Sequence, residues 1–286
     1  MPDLLESIED GVAVLTLNRP EALNALSMDI RHGLLNAMER YADDSAVRCI
    51  VITGSGRAFS SGGDVKGMGD RAAQGYETRA RGLQFSATIP MAIRKHPKVI
   101  IGMVNGVAAG AGMSLSMACD LRIAGKSARF TTAFLKIGLS GDWGGTWTLT
   151  RLVGTAKARE LFLMPDMISA DEALKLGIVN RVAEDADLRA ATMEVARRIA
   201  EMPPVAVAAV KRNLFAAETE NFATVLDVEA YNQARCSQTE DHAEAVAAFK
   251  EKRKAVFKGR QRRVNLWRAG ACSRFRHGDE SRTATL

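Results

Sequence analysis

Cysteine and proline are scarce in this 286-residue chain, which has four Cys and seven Pro. Cys49, Cys119, Cys236 and Cys272 form no Cys-x-x-Cys pair, which excludes a zinc ribbon, a thioredoxin-type redox motif and a disulfide-stapled secreted scaffold. A reducing cytoplasm is the expected setting. His32, His96, His242 and His277 lack metal-ligand spacing, so no metal site is expected. Charge of one sign is missing from most of the sequence. The net charge is +6, but residues 261–286 carry six Arg against two acids, which leaves residues 1–260 at +2. That tail has no ladder of aromatics, and aromatic residues make up only 6% of the chain; a nucleic-acid partner is not expected. The first residues, MPDLLESIEDG, are acidic and lack the apolar stretch of a secretory signal or the arginines of a transit peptide.

Long hydrophobic runs are also missing, with one exception. Residues 99–119 carry no charge and place Gly102, Gly106 and Gly110 at the spacing of packed membrane helices. Asn105, Ser114 and Ser116 interrupt the run, and no second span follows. Its start, VIIGMV, is the signature of a strand buried on both faces, followed by a Gly-rich turn and a short helix from about Ala111. No membrane partner is expected.

The rest is ordinary globular composition, 47% hydrophobic and 25% charged. β-Branched apolar runs predict strands at residues 12–17, 47–53, 99–104 and 121–124. Between the first two, Ile30, Leu34, Leu35, Met38 and Tyr41 share one helical face behind Ser27, a predicted N-cap. A long polar helix leads to Pro97. Helices are predicted at 156–164, 170–176, 188–200, 205–217, 222–234 and 243–256. The expected organisation is an α/β core over residues 1–200, a helical region over 201–260 and an aperiodic, disordered basic tail over 261–286 that truncation should leave dispensable.

Three Gly-rich segments follow strands: GSGRAFSSGGDVKGM from Gly54, NGVAAGAGMSLSMACD from Asn105 and KIGLSGDWGGTW from Lys136. None is a P-loop or a Rossmann G-x-G-x-x-G between strand and helix, and no G-x-S-x-G elbow occurs. Phosphoryl transfer, a dinucleotide cofactor and a serine-hydrolase triad are therefore disfavoured.

With LNRPEALNALS at residues 17–27, FSSGGDVKGM at 59–68, VNGVAAGAGMSLSMACD at 104–120 and IGLSGDWGGTW at 137–147, in this order, the chain resembles the enoyl-CoA hydratase/isomerase (crotonase) superfamily over residues 3–260. The resemblance implies a spiral of ββα units with a C-terminal helical trimerisation region, a homotrimer or dimer of trimers, and an acyl-CoA thioester as substrate, with coenzyme A entering as part of it and no separate cofactor. It also implies that the amides of Gly63 and Ala111 hold the thioester oxygen. An enolate oxygen needs such fixed donors, and a helix N-terminus adds a favourable dipole. Arg19, Ala22, Asp64, Val65, Lys66, Ser114, Phe134 and Trp143 are the implied substrate contacts beside them.

Ser114 and Phe134 stand where hydratases of this superfamily carry their two water-handling glutamates, and neither side chain can exchange a proton near neutrality. Asp142 instead stands where dienoyl-CoA isomerases and phenylacetate-pathway epoxide isomerases place a catalytic aspartate; the following GGTW and LVG look most like the latter. Isomerisation with Asp142 as base is the favoured reading. The alternatives are a hydratase-like enzyme, an aryl-CoA dehalogenase with Asp142 as nucleophile, which lacks its expected His between residues 70 and 90, and an inactive thioester-binding homologue. From its position alone Asp142 is also a candidate helix cap before Trp143, Asp64 another cap, and Asp120 a loop anchor. Tyr76, Phe85 and Trp147 are candidates for the acyl wall.

Overall fold

The computed structural model describes residues 1–64 and 75–260. A hairpin opens the chain: β1 (Leu4–Glu9) and β2 (Val12–Leu17) pair antiparallel. Asp10 and Gly11 join them at φ of 51° and 76°, the pair of positive values that a two-residue turn matched to strand twist demands. Ser27 accepts from the Ile30 amide at 3.2 Å and caps α1 (Met28–Asp43), as the sequence predicts.

Three similar turns of chain follow. β3 (Cys49–Gly54) leads to β4 (Ala58–Ser60) and then, past the undescribed residues, to α2 (Tyr76–Lys95). β5 (Val99–Val104), β6 (Val107–Ala109) and α3 (Ala111–Ala118) repeat the order, and so do β7 (Leu121–Gly125), β8 (Arg129–Thr131) and α4 (Gly145–Leu163). Each turn gives one strand to each of two sheets before its helix, so both sheets grow by parallel pairing. The first sheet runs β1-β2-β3-β5-β7-β10 and the second β4-β6-β8-β9, with β9 at Ile168–Ser169 and β10 at Arg181–Ala183. This is the expected crotonase spiral, and residues 99–119 supply β5, β6 and α3 in place of a membrane span. Among the described residues no helix is long and apolar enough to cross a membrane.

The central strands are apolar on both faces because each face has its own core. Leu15, Leu17, Ile50, Ile52 and Ile100 point toward α1, α2 and the second sheet. Their neighbours Val12, Val14, Val51 and Ile101 meet Leu188, Met193 and Ala196 of α6 (Leu188–Ala200). Alternate residues of a strand face opposite sides, so an unbroken apolar run is what burial on both requires.

Two expectations need correction. The helix expected at 156–164 is the second part of α4, which starts eleven residues earlier and bends at Gly154, where φ is 77°. The last helix begins and ends earlier than 243–256: α9 covers Glu240–Glu251 and stops where Lys252 turns left-handed at φ 55°. The chain then doubles back. Asp241 accepts the amides of Lys258 and Gly259 at 2.7 and 2.8 Å, and Arg260 O accepts from Glu240 N at 3.0 Å. Residues to 260 are thus packed, while the tail over 261–286 lies outside the described residues. Between these elements lie α5 (Ala170–Lys175), α7 (Pro204–Thr219) and α8 (Phe222–Ser237).

Candidate active site

The segment after η1, the 3₁₀ turn Pro20–Ala22, fixes the first Gly-rich loop. Leu23 and Asn24 both take positive φ, 51° and 55°. This turns Asn24 inward, where it is fully buried and donates from Nδ2 to Ser55 O and Ala58 O at 2.8 and 2.7 Å. Ser61 N donates to Leu23 O at 2.9 Å and Leu26 N to Gly62 O at 2.8 Å. A trans peptide holds its C=O and N–H on opposite sides, so with the Gly62 carbonyl turned to Leu26 the Gly63 N–H points the other way. A β-carbon on Gly62 would fall 2.6 Å from Ala109 O and 2.9 Å from Ala111 N. The loop is pressed against the start of α3 closely enough that only glycine fits.

On the α3 side, Gly110 has φ 53° and ψ −125°, and its carbonyl accepts from Ser114 N at 3.0 Å and from Ser114 Oγ at 3.3 Å. The same peptide logic sends the Ala111 N–H out of the helix N-terminus. Neither the Gly63 nor the Ala111 amide donates to another described residue. The contact of Gly62 with the Ala111 amide brings the two segments together at the positive end of a helix dipole, where an oxyanion is favoured.

Asp142 stands in the loop between β8 and α4. Gly141, Trp143 and Gly144 take φ of 118°, 54° and 70°. The left-handed Trp143 is held by its buried ring in the main core. The loop docks on α3: a β-carbon on Gly145 would lie 2.4 Å from Ser114 Oγ, and one on Gly141 would lie 3.4 Å from the Phe162 ring and 3.8 Å from Phe134. Phe134 and Phe162 lie with ring planes 7° apart and centroids 6.4 Å apart. Ser114 and Phe134 therefore pack against Gly145 and Gly141, the glycines on either side of Asp142 in this loop.

The Asp142 side chain does not cap α4, whose cap position is Gly144 with no side-chain hydrogen bond. Its Oδ1 is buried and without a hydrogen-bond partner among the described residues. Burial pushes the carboxyl up from 3.8 to about 6, opposed by the positive charge of Arg31. An aspartate so desolvated is unfavourable for stability and typical of a site that must accept a proton.

The other expected residues are placed as follows. Arg19 braces the first loop: its Nη1 donates to Asp64 and to Ala25 O, both at 3.1 Å, and its Nε stands 3.6 Å from Asp3. Ala22 lies half-buried beside it and accepts from Ser61 Oγ at 3.3 Å. Val65 and Lys66 lie outside the described residues. Asp120 anchors a loop, accepting the Ile100 amide and Lys211 Nζ, each at 2.7 Å. Tyr76 is 82% exposed, Phe85 packs on His32 at 4.9 Å, and Trp147 faces a different cavity, described below. Among the described residues no group of three or more His, Cys, Asp or Glu could hold a metal ion. Asn24, Phe162 and Arg31, which reaches Ser86 Oγ at 2.8 Å and Leu26 O at 3.1 Å, are site-building residues that periodicity alone does not single out.

The family described as enoyl-CoA hydratase/isomerase matches residues 7–261. The chain belongs to that family. Members similar to it include the 1,2-epoxyphenylacetyl-CoA isomerase of Escherichia coli K12, 36% identical over 91% of this chain and 100% of the relative. A probable enoyl-CoA hydratase of Rhodobacter capsulatus is 41% identical over 88% and 96%. A crystal structure of a putative enoyl-CoA hydratase from Streptomyces coelicolor A3(2) superposes with a TM-score of 0.87 at 36% identity, covering 90% of this chain and 94% of that one. Family members thus carry isomerase and hydratase names on one backbone, and the side chains around the two amides must distinguish them.

Proposed function

We propose that the chain is an acyl-CoA isomerase in which Asp142 carries a proton between two carbons of the substrate while Gly63 and Ala111 hold an enolate oxygen. The observation that carries this reading is the Asp142 carboxyl: half-buried, with Oδ1 withdrawn from water and unbonded among the described residues, and raised to about 6. At pH 7 such a group is ionised about ten to one, so it is ready as a base and becomes a competent acid once protonated. Ser114 and Phe134, neither of them a carboxylate, favour a single proton carrier over the two that activation of water would use. The isomerase name of one similar protein agrees with it.

In a 2-enoyl thioester the proposed step balances simply. Asp142 takes a proton from the γ carbon, the electron pair moves through the double bond to the thioester oxygen, and the Gly63 and Ala111 amides stabilise the resulting dienolate. The same proton returns at the α carbon and the double bond has moved; nothing is oxidised and no atom is gained. Coenzyme A enters with the substrate and no other cofactor takes part. Ala22, Asp64, Val65 and Lys66 are the proposed contacts for the coenzyme A portion, with Arg19 holding Asp64 in place, and Phe134 and Trp143 shape the acyl side. The chain is further proposed to work as a homotrimer or dimer of trimers, because Phe222, Tyr231 and Phe249 stand well exposed on its last two helices.

The test is a panel of aliphatic and aromatic CoA thioesters incubated with the protein in heavy water. A product of unchanged formula, carrying deuterium at the α or γ carbon, is expected. A product heavier by one water makes the protein a hydratase and overturns the isomerase reading.

A further inference from the structure

A cavity of about 920 Å³ lies away from Asp142, between α7 and the spiral core. Its floor is Val99, Met117, Leu121 and Leu152, and its opposite wall is Val207, Val210 and Leu214 of α7. Both walls belong to one chain, and the volume is that of a small-molecule site. Val210 and Leu214 are more than half exposed, so the cavity communicates with solvent along α7.

The charges around this apolar space do not cancel. Arg94, Arg122, Arg151 and Lys211 line it against two acids, Asp120 and Glu218. Lys211 pairs with Asp120 at 2.7 Å and Arg94 Nη2 with Glu218. Arg122 and Arg151 have no carboxylate partner among the described residues: Arg122 is held by the carbonyls of Met117, Cys119 and Ile178, and Arg151 by Glu218 O at 3.2 Å. Arg94 and Arg151 both stack on Trp147, with guanidinium carbons 4.7 and 3.7 Å from the ring centre. Arg94 Nε, moreover, is withdrawn from water and has no hydrogen-bond partner among the described residues. An unbonded buried donor is costly, and here it adjoins an apolar space with surplus positive charge.

We infer that this cavity is a second ligand site, separate from the Gly63, Ala111 and Asp142 centre, for an amphipathic monoanion: a carboxylate carrying a hydrocarbon tail. The carboxylate sits at the Arg94, Arg151 and Trp147 end, where a modest turn of Arg94 brings Nε to one of its oxygens. The tail lies along Val207, Val210 and Leu214. Charge complementarity selects the anion, and the apolar walls select the chain. The inference is independent of the reaction proposed for Asp142.

Decanoate below its micellar concentration is the probe, titrated calorimetrically into the full-length protein in its native oligomeric state, with 1-decanol as the uncharged control. One decanoate per chain is expected, with decanol at least about tenfold weaker, since a charge-assisted hydrogen bond is worth that much or more. Arg94→Met should weaken decanoate by about tenfold or more. Val210→Trp, which obstructs the apolar wall along which the tail is placed, should weaken decanoate by about tenfold or more while circular dichroism and oligomeric mass stay unchanged. Absence of decanoate binding, decanol binding as tightly, or both variants binding within twofold of the wild type would each overturn the site. Binding that appears only when dilution dissociates the oligomer would also overturn it, because the cavity would then be an interface between copies.

Discussion

Replacing Asp142 by Asn removes the proposed base and, in the same stroke, a source of instability. A carboxyl whose folded pKa is raised from 3.8 to about 6 holds its proton more tightly folded than unfolded. Between those two values the folded state binds more protons, so stability falls as pH rises through the window and stays lowered above it. About two units at about 1.4 kcal/mol each make the ionised Asp142 cost up to about 3 kcal/mol at pH 7. The substituted amide is neutral at every pH, so Asp142→Asn should raise stability at pH 7 by a sizeable part of that amount and leave it nearly unchanged at pH 4. Turnover of the thioester that the wild type isomerises should fall by about 10²-fold or more. Urea unfolding of both proteins at pH 4 and pH 7, beside deuterium exchange at the thioester carbons, checks the two halves together. Equal stability differences at both pH values would show that Asp142 is not desolvated as described. Undiminished exchange would show that it is not the base.

The wild-type rate should also climb with pH through a midpoint near 6 and level off above about 7, as Asp142 ionises; a flat profile from pH 5 to 8 contradicts this. Gly112→Ala places a β-carbon 2.2 Å from Ser60 O, a backbone atom with nowhere to go. α3 must shift from the first loop, and separating the two amides should cost about 10²-fold in rate, which a wild-type turnover number would refute. Lys211→Met leaves the Asp120 carboxylate buried without its cation and should destabilise by about 3 to 5 kcal/mol, read from the denaturant midpoint; a shift under about 1 kcal/mol would mean that the Ile100 amide alone suffices. Light scattering at micromolar concentration should report three or six chains per particle, and a monomer would refute the proposed assembly.

Much of this architecture follows from sequence because its signals are local or doubled. Unbroken apolar runs at 12–17 and 99–104 specify strands buried on both faces, and both match the observed bounds. Ser27 and the face shared by Ile30, Leu34 and Met38 specify α1 with its cap. The Gly-rich segments, in their order, carry the family resemblance that implies Gly63, Ala111 and Asp142 as site residues. β1 carries one local signal, the Asp10-Gly11 turn that ends it, but its side chains face mostly outward and give no apolar pattern. Only the tertiary structure decided the rest. β4, β6 and β8 are three residues each, too short for any periodicity, and exist because successive turns of the spiral stack. Asn24 becomes a clamp because Leu23 and Asn24 turn left-handed in a context that buries the amide. That the Asp142 side chain is not the cap of α4 is likewise a tertiary fact, because Gly144 takes the cap position itself without a side-chain hydrogen bond. Arg31 meets Ser86, and Phe162 meets Phe134, across elements far apart in sequence, and no local signal joins residues whose only relation is a tertiary contact.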